Sequence, residues 1–144
     1  MGKRHKAREL ALQILFHLEY NPENPEDALT LICKNFKSSE SDRIFSKKLV
    51  LGVFESIERI DTLISQSSKN WRMERMSYVD RSILRLGTFE MLYLDEVPPK
   101  VTIDEAVELG KKFGTEDSGA FINGILDNIF NRLKQKDPVL KKKI

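Results

Sequence analysis

The sequence predicts an all-α fold of six or seven helices in two small packed helical halves, and three observations carry that prediction. Apolar residues recur at spacings of three and four along every periodic stretch, and no stretch alternates as a strand would. A hydroxyl residue followed three positions later by an acid appears at Ser39/Asp42, Ser77/Asp80 and Thr102/Glu105, the spacing of a capping box. Proline-containing breaks, Asn21-Pro22-Glu23-Asn24-Pro25 and Pro98-Pro99, separate the periodic stretches.

The first helix spans about Lys6 to Tyr20, with Ala7, Ala11, Ile14 and Leu18 on one stripe. Asn24 then suits an N-cap, Pro25 the first helical position, and Glu26 and Asp27 the positive end of the helix dipole of a second helix ending near Phe36. After Ser39 a long third helix carries Phe45, Leu49, Val53, Ile57, Ile60 and Ile64, and Gly52 on that stripe admits a close neighbour. Residues 65 to 76 are polar apart from Trp71, Met73 and Met76. They mark the seam between an N-terminal half, about 1–66, and a C-terminal half, about 77–136, with a basic tail at 137–144. Three more helices are expected over about 78–94, 103–113 and 118–134. The first of them spreads apolar residues over an arc of about 220°, which marks a central helix packed on several sides. The last shows a narrower stripe, Ile122, Ile125, Leu126, Ile129 and Leu133, and Gly110 and Gly124 are candidate close crossings.

At 144 residues, 40% apolar and 32% charged, the chain has enough core formers to fold. Its apolar runs reach only about four residues, against the roughly 20 of a membrane span. With no apolar signal core behind the basic N-terminus, a cytoplasmic location is expected. The single cysteine, Cys33, cannot form an internal disulfide, and His5 and His17 lack ligand spacing, so neither a metal nor a cofactor is expected. No phosphate loop, GxG or GxSxG occurs among the seven glycines, which speaks against catalysis.

Charge is segregated. Lys3, Arg4, Lys6 and Arg8 open the chain, five lysines against Asp137 close it over residues 134–144, and with the whole at +2 the body between is left at −6. Basic ends on an acidic body point to an anionic partner, although Lys141, Lys142 and Lys143 read most simply as a solvated tail. Cations at a helix start oppose the dipole by about 0.3–1 kcal/mol each, whereas phosphates would reverse that sign. Phe121, about 100° off the Ile122 stripe, is a candidate for base stacking or for packing at the rim of the core. Glu90 falls in the middle of its helix's apolar arc, where a carboxylate needs a charged partner; Arg85 and Lys100 are poorly angled to supply one.

The stretch Asp80-Arg81-Ser82-Ile83-Leu84-Arg85-Leu86, Glu90, and Val97-Pro98-Pro99-Lys100-Val101-Thr102-Ile103-Asp104-Glu105-Ala106 resembles the NusB transcription antitermination factors. The closing run Gly114-Thr115-Glu116-Asp117-Ser118 with Phe121-Ile122-Asn123-Gly124 adds to the likeness, as do Arg8-Glu9-Leu10-Ala11, Leu49-Val50-Leu51-Gly52, Ile60-Asp61 and Trp71 in family order. The resemblance implies a bacterial RNA-binding protein that holds boxA-type single-stranded RNA together with ribosomal protein NusE. Their complex helps RNA polymerase resist termination during ribosomal RNA transcription. By motif match it implies RNA contacts from Lys3, Arg4, Lys6, Arg8, Asp117 and Phe121, and NusE contacts from Phe16, Glu74 and Asp80. Here Phe16 stands where relatives commonly have tyrosine, and Gly119-Ala120 where they carry larger residues. Two rivals belong to other classes: the RNA-recognition domain of a ribosomal RNA methyltransferase, and a protein-only interaction module whose basic ends are solubility tails. The first would need a cofactor-binding α/β domain, for which there is no glycine-rich start.

Overall fold

A computed structural model describes residues 4–35 and 37–135, and among them the only regular structure is helical. Seven α-helices follow in order: α1 His5–Tyr20, α2 Pro25–Asn35, α3 Glu40–Glu55, α4 Ile57–Ser67, α5 Tyr78–Tyr93, α6 Pro99–Phe113 and α7 Ser118–Lys134, with a 3₁₀ turn at Met73–Arg75. Lys3, Phe36 and the basic tail at 137–144 lie outside the described residues.

The local signals explain most of the boundaries. Asn24 Oδ1 accepts from Glu26 N at 2.8 Å and opens α2, while Ser39 and Ser77 accept from Asp42 N and Asp80 N, each at 3.0 Å, and open α3 and α5. Each such cap is worth about 1 kcal/mol.

Two expectations are corrected. The long third helix is two helices, because Ser56 leaves helical geometry at φ −117°, ψ 23°. The apolar spacing runs on through the break and no proline or glycine marks it, so periodicity alone reads one helix. Thr102 does not cap α6 either. That helix starts at Pro99, with Pro98 as its N-cap residue, and Thr102 is buried in its first turns.

Helix α5 is the centre, packing on α1, α3, α4, α6 and α7. Its Ile83, Leu84 and Leu92 are wholly enclosed, each contributing about 1.5–3 kcal/mol relative to exposure. Buried residues of all seven helices join in one cluster. At Gly52 of α3, a Cβ would run into the Phe89 ring of α5, so only glycine permits this approach. Gly110 serves the α6–α7 crossing in the same way, its Cβ position lying 2.8 Å from Ile122 Cδ1. Gly124 does not: it is exposed and nothing approaches it within 4 Å.

Candidate nucleic-acid interface

Helix α1 begins without a side-chain cap and without an acid in its first turn, so the positive end of its dipole meets basic residues. Arg4 is half-exposed, its guanidinium 4.1 Å from the centroid of the Phe45 ring and 4.0 Å from Glu96, which also approaches Lys48 at 3.8 Å. That stacking holds the charge at the surface in a restricted set of orientations. Lys6 is exposed on the rim of a polar groove of about 630 Å³, whose other cations are Lys34, Lys37 and Arg43. Cys33 lines the same groove. Burial pushes its thiol pKa up, with Arg43 pulling the other way, so it is not a poised thiolate.

Arg8 departs from the phosphate-contact role that its neighbours in sequence suggest. It is 3% exposed, and its Nε and Nη2 donate to the two carboxylate oxygens of Glu90, both at 2.8 Å. Burial disfavours its charge, yet the hydrogen bond and charge of Glu90, helped by Glu105 at 3.7 Å, hold its pKa above the usual value. A guanidinium so enclosed has no free edge for a phosphate. Glu90 therefore has its partner, and Thr102 completes the site by donating its hydroxyl to Glu90 Oε1 at 3.1 Å. Glu105 is buried as well, and His5 bridges it at 3.1 Å to Glu9 at 2.9 Å. Through Lys112, 2.8 Å from Glu9, this network fastens the start of α1 to α6.

Arg85, poorly angled for Glu90 as the helix wheel indicates, makes paired bonds of 2.9 Å to Asp61 and reaches Glu19 at 3.1 Å. Arg81 joins Glu19 at 3.0 Å, so α5 is tied to α1 and α4 on its opposite flank.

The α6–α7 turn sets the other end of the site. A Cβ at Gly114 would collide with the Ser118 hydroxyl, which accepts from Thr115 N at 2.9 Å. Asp117 is exposed and makes no side-chain cap. One turn later Phe121 is half-buried and meets Trp71 edge to face, the centroids 5.8 Å apart.

Phe16 lines a largely apolar groove of about 660 Å³ with Leu12, Tyr20, Ile32, Val79 and Phe113. Its ring contacts Tyr20, which in turn contacts Tyr78, both edge to face at about 5 Å. Asp80 follows Val79 in the first turn of α5, half-buried, its Oδ1 enclosed without a hydrogen-bond partner. Glu74 is exposed and pairs only loosely with Arg72, at 3.7 Å.

The NusB family model matches residues 5–131. The chain belongs to the NusB family. It is 50% identical over 131 residues to the transcription antitermination protein NusB of Desulforapulum autotrophicum, covering 90% of this chain and 92% of that one. With the NusB of Desulfatibacillum aliphaticivorans it shares 46% over 143 residues, 99% and 100% of the two chains. Among solved structures it is similar to T. maritima NusB, with TM-score 0.83, 37% identity and coverage of 91% and 92%. It also resembles a chain from a crystal structure of NusB and NusE in complex with double-stranded RNA, with TM-score 0.81, 32% identity and coverage of 91% and 98%.

Seen as a NusB fold, the chain owes its first-helix position to residues that sequence reasoning misassigned or missed. Arg8 precedes Leu12 by four and Leu15 by seven, both buried, so a full wheel of α1 places it on the inward face. That reading, joined to the stranded Glu90, would have paired the two.

Proposed function

We propose that this chain is a transcription antitermination factor that binds boxA-type single-stranded RNA together with ribosomal protein NusE while ribosomal RNA operons are transcribed, as part of the RNA polymerase antitermination complex. It acts in the cytoplasm by assembly, without turnover. The observation that carries the RNA reading is the acid-free start of α1, which sets the positive end of a helix dipole beside exposed Arg4 and Lys6. Lys3 belongs to the same segment by sequence, and Asp117 and Phe121 contribute from the start of α7. Arg8 supports this surface from inside. Phe16, Glu74 and Asp80 form the NusE side, with the apolar groove at Phe16 taking a partner side chain. Likeness to the NusB chain of the NusE and double-stranded RNA complex supports both partners.

Salt-dependent RNA binding tests this reading against a protein-only module. Affinity for boxA-type RNA should fall as salt rises, by about 0.7 log unit of affinity per log unit of salt for each phosphate neutralised on a single strand. Affinity independent of salt, or absent, would mean the basic start of α1 is only a solvated end.

A further inference from the structure

Trp71 is the only tryptophan of the chain, and it lies outside both the α1 start and the Phe16 groove. It stands on the α4–α5 connection, 54% exposed, although an indole is among the costliest side chains to leave in water. Its backbone is nonetheless held. Trp71 N donates to Ser68 O at 2.9 Å, and the Ser68 hydroxyl reaches Trp71 O at 3.2 Å and Ile64 O at 2.7 Å. The ring is also fixed against Phe121, the two planes 84° apart. Two aromatic planes at nearly a right angle make a corner, and the exposed Trp71 ring keeps it accessible. A flat group lying on either face abuts the other ring.

The surrounding charge selects the occupant. Lys69, Arg72 and Arg75 share the connection with Trp71 and are all exposed, against the carboxylates Glu74, 3.7 Å from Arg72, and Asp117, one turn before Phe121. A flat aromatic ligand carrying negative charge on both sides suits this setting, which is the chemistry of a nucleobase in a single strand.

We propose that Trp71 and Phe121 together form a corner that holds one unpaired base of the RNA, with Lys69, Arg72 and Arg75 contacting the flanking phosphates. This rests on the RNA reading above and extends it to a second loop, since Phe121 alone offers only a half-buried ring. Any base can stack there, so the corner adds affinity for an unpaired nucleotide without choosing its identity.

The sole tryptophan gives a direct readout. Labelled boxA-type RNA is followed by anisotropy while Trp71 emission is recorded on the full chain. The emission should be quenched with the same midpoint as the anisotropy, and inorganic polyphosphate, which has charge but no bases, should leave it unquenched. Trp71→Ala should weaken binding roughly 5- to 150-fold with an unchanged salt slope, while Trp71→Phe retains most of the affinity. Binding by anisotropy without quenching overturns the corner and leaves the RNA reading standing. No binding by either signal removes the RNA reading, and the corner with it. Quenching by NusE alone and not by RNA would make Trp71 a protein contact, which also overturns the proposal. Should Trp71→Ala lose its helical circular dichroism, Trp71→Phe and the wild-type emission decide the matter.

Discussion

Replacing Arg8 by methionine separates a buried anchor from an RNA ligand. The substitution keeps a long apolar stem but leaves Glu90, 2% exposed, with only the Thr102 hydroxyl, and Glu105 without its nearest buried cation. Breaking a buried ion pair in this way costs about 3–5 kcal/mol, because the remaining charge is neither solvated nor paired. At this chain length the loss corresponds to a fall in Tm of roughly 6–20 °C. Pairing Arg8→Met with Glu90→Gln should restore part of it, since the amide oxygen still accepts from Thr102 and only Glu105, with His5 at 3.1 Å, keeps a buried charge. Urea unfolding of wild type, both single variants and the double variant gives the coupling energy directly. At a temperature where Arg8→Met remains folded, its salt slope for RNA should match the wild type. A loss below about 1 kcal/mol together with a flatter slope would refute the buried role and return Arg8 to the phosphates.

Removing Arg4 and Lys6 together should lower the salt slope of log affinity by roughly 1.4 and weaken all single-stranded RNAs alike, as measured by titration at several salt concentrations. Gly52→Ala forces a methyl into the Phe89 ring and should cost about 1–3 kcal/mol in chemical denaturation, whereas Gly124→Ala, in open space on α7, should gain about 0.5–1. Asp80→Lys should weaken NusE binding while retaining the helical circular dichroism; the dipole term alone costs about 0.3–1 kcal/mol, so undiminished NusE affinity in the folded variant counts against that surface.

Helix positions were readable where one local bond decides them. Ser39 and Ser77 cap where their spacing says, and α7 occupies the stretch its Ile122 stripe marks out. Thr102 misled because its hydroxyl satisfies the same spacing rule, while Pro98-Pro99 already supplies a helix start whose first residue has no N–H for a cap to accept. The break at Ser56 was invisible for a related reason: one residue leaving helical geometry changes no apolar spacing. The interface divides in the same way. Charge density at the N-terminus is a sequence property, but which arginine faces inward depends on a carboxylate 82 positions away. The Trp71–Phe121 contact likewise joins residues from two distant segments, and neither one's periodicity announces the other.

If one chain holds RNA and NusE together, the two bind it with coupled affinities, and a binding cycle measures that coupling. The affinity of the full chain for boxA-type single-stranded RNA is measured alone and with saturating NusE, under identical salt. RNA should bind more tightly with NusE present, matched by an equal gain in NusE affinity when RNA is saturating. The same affinity in both arms, or RNA displaced as NusE is added, would contradict it.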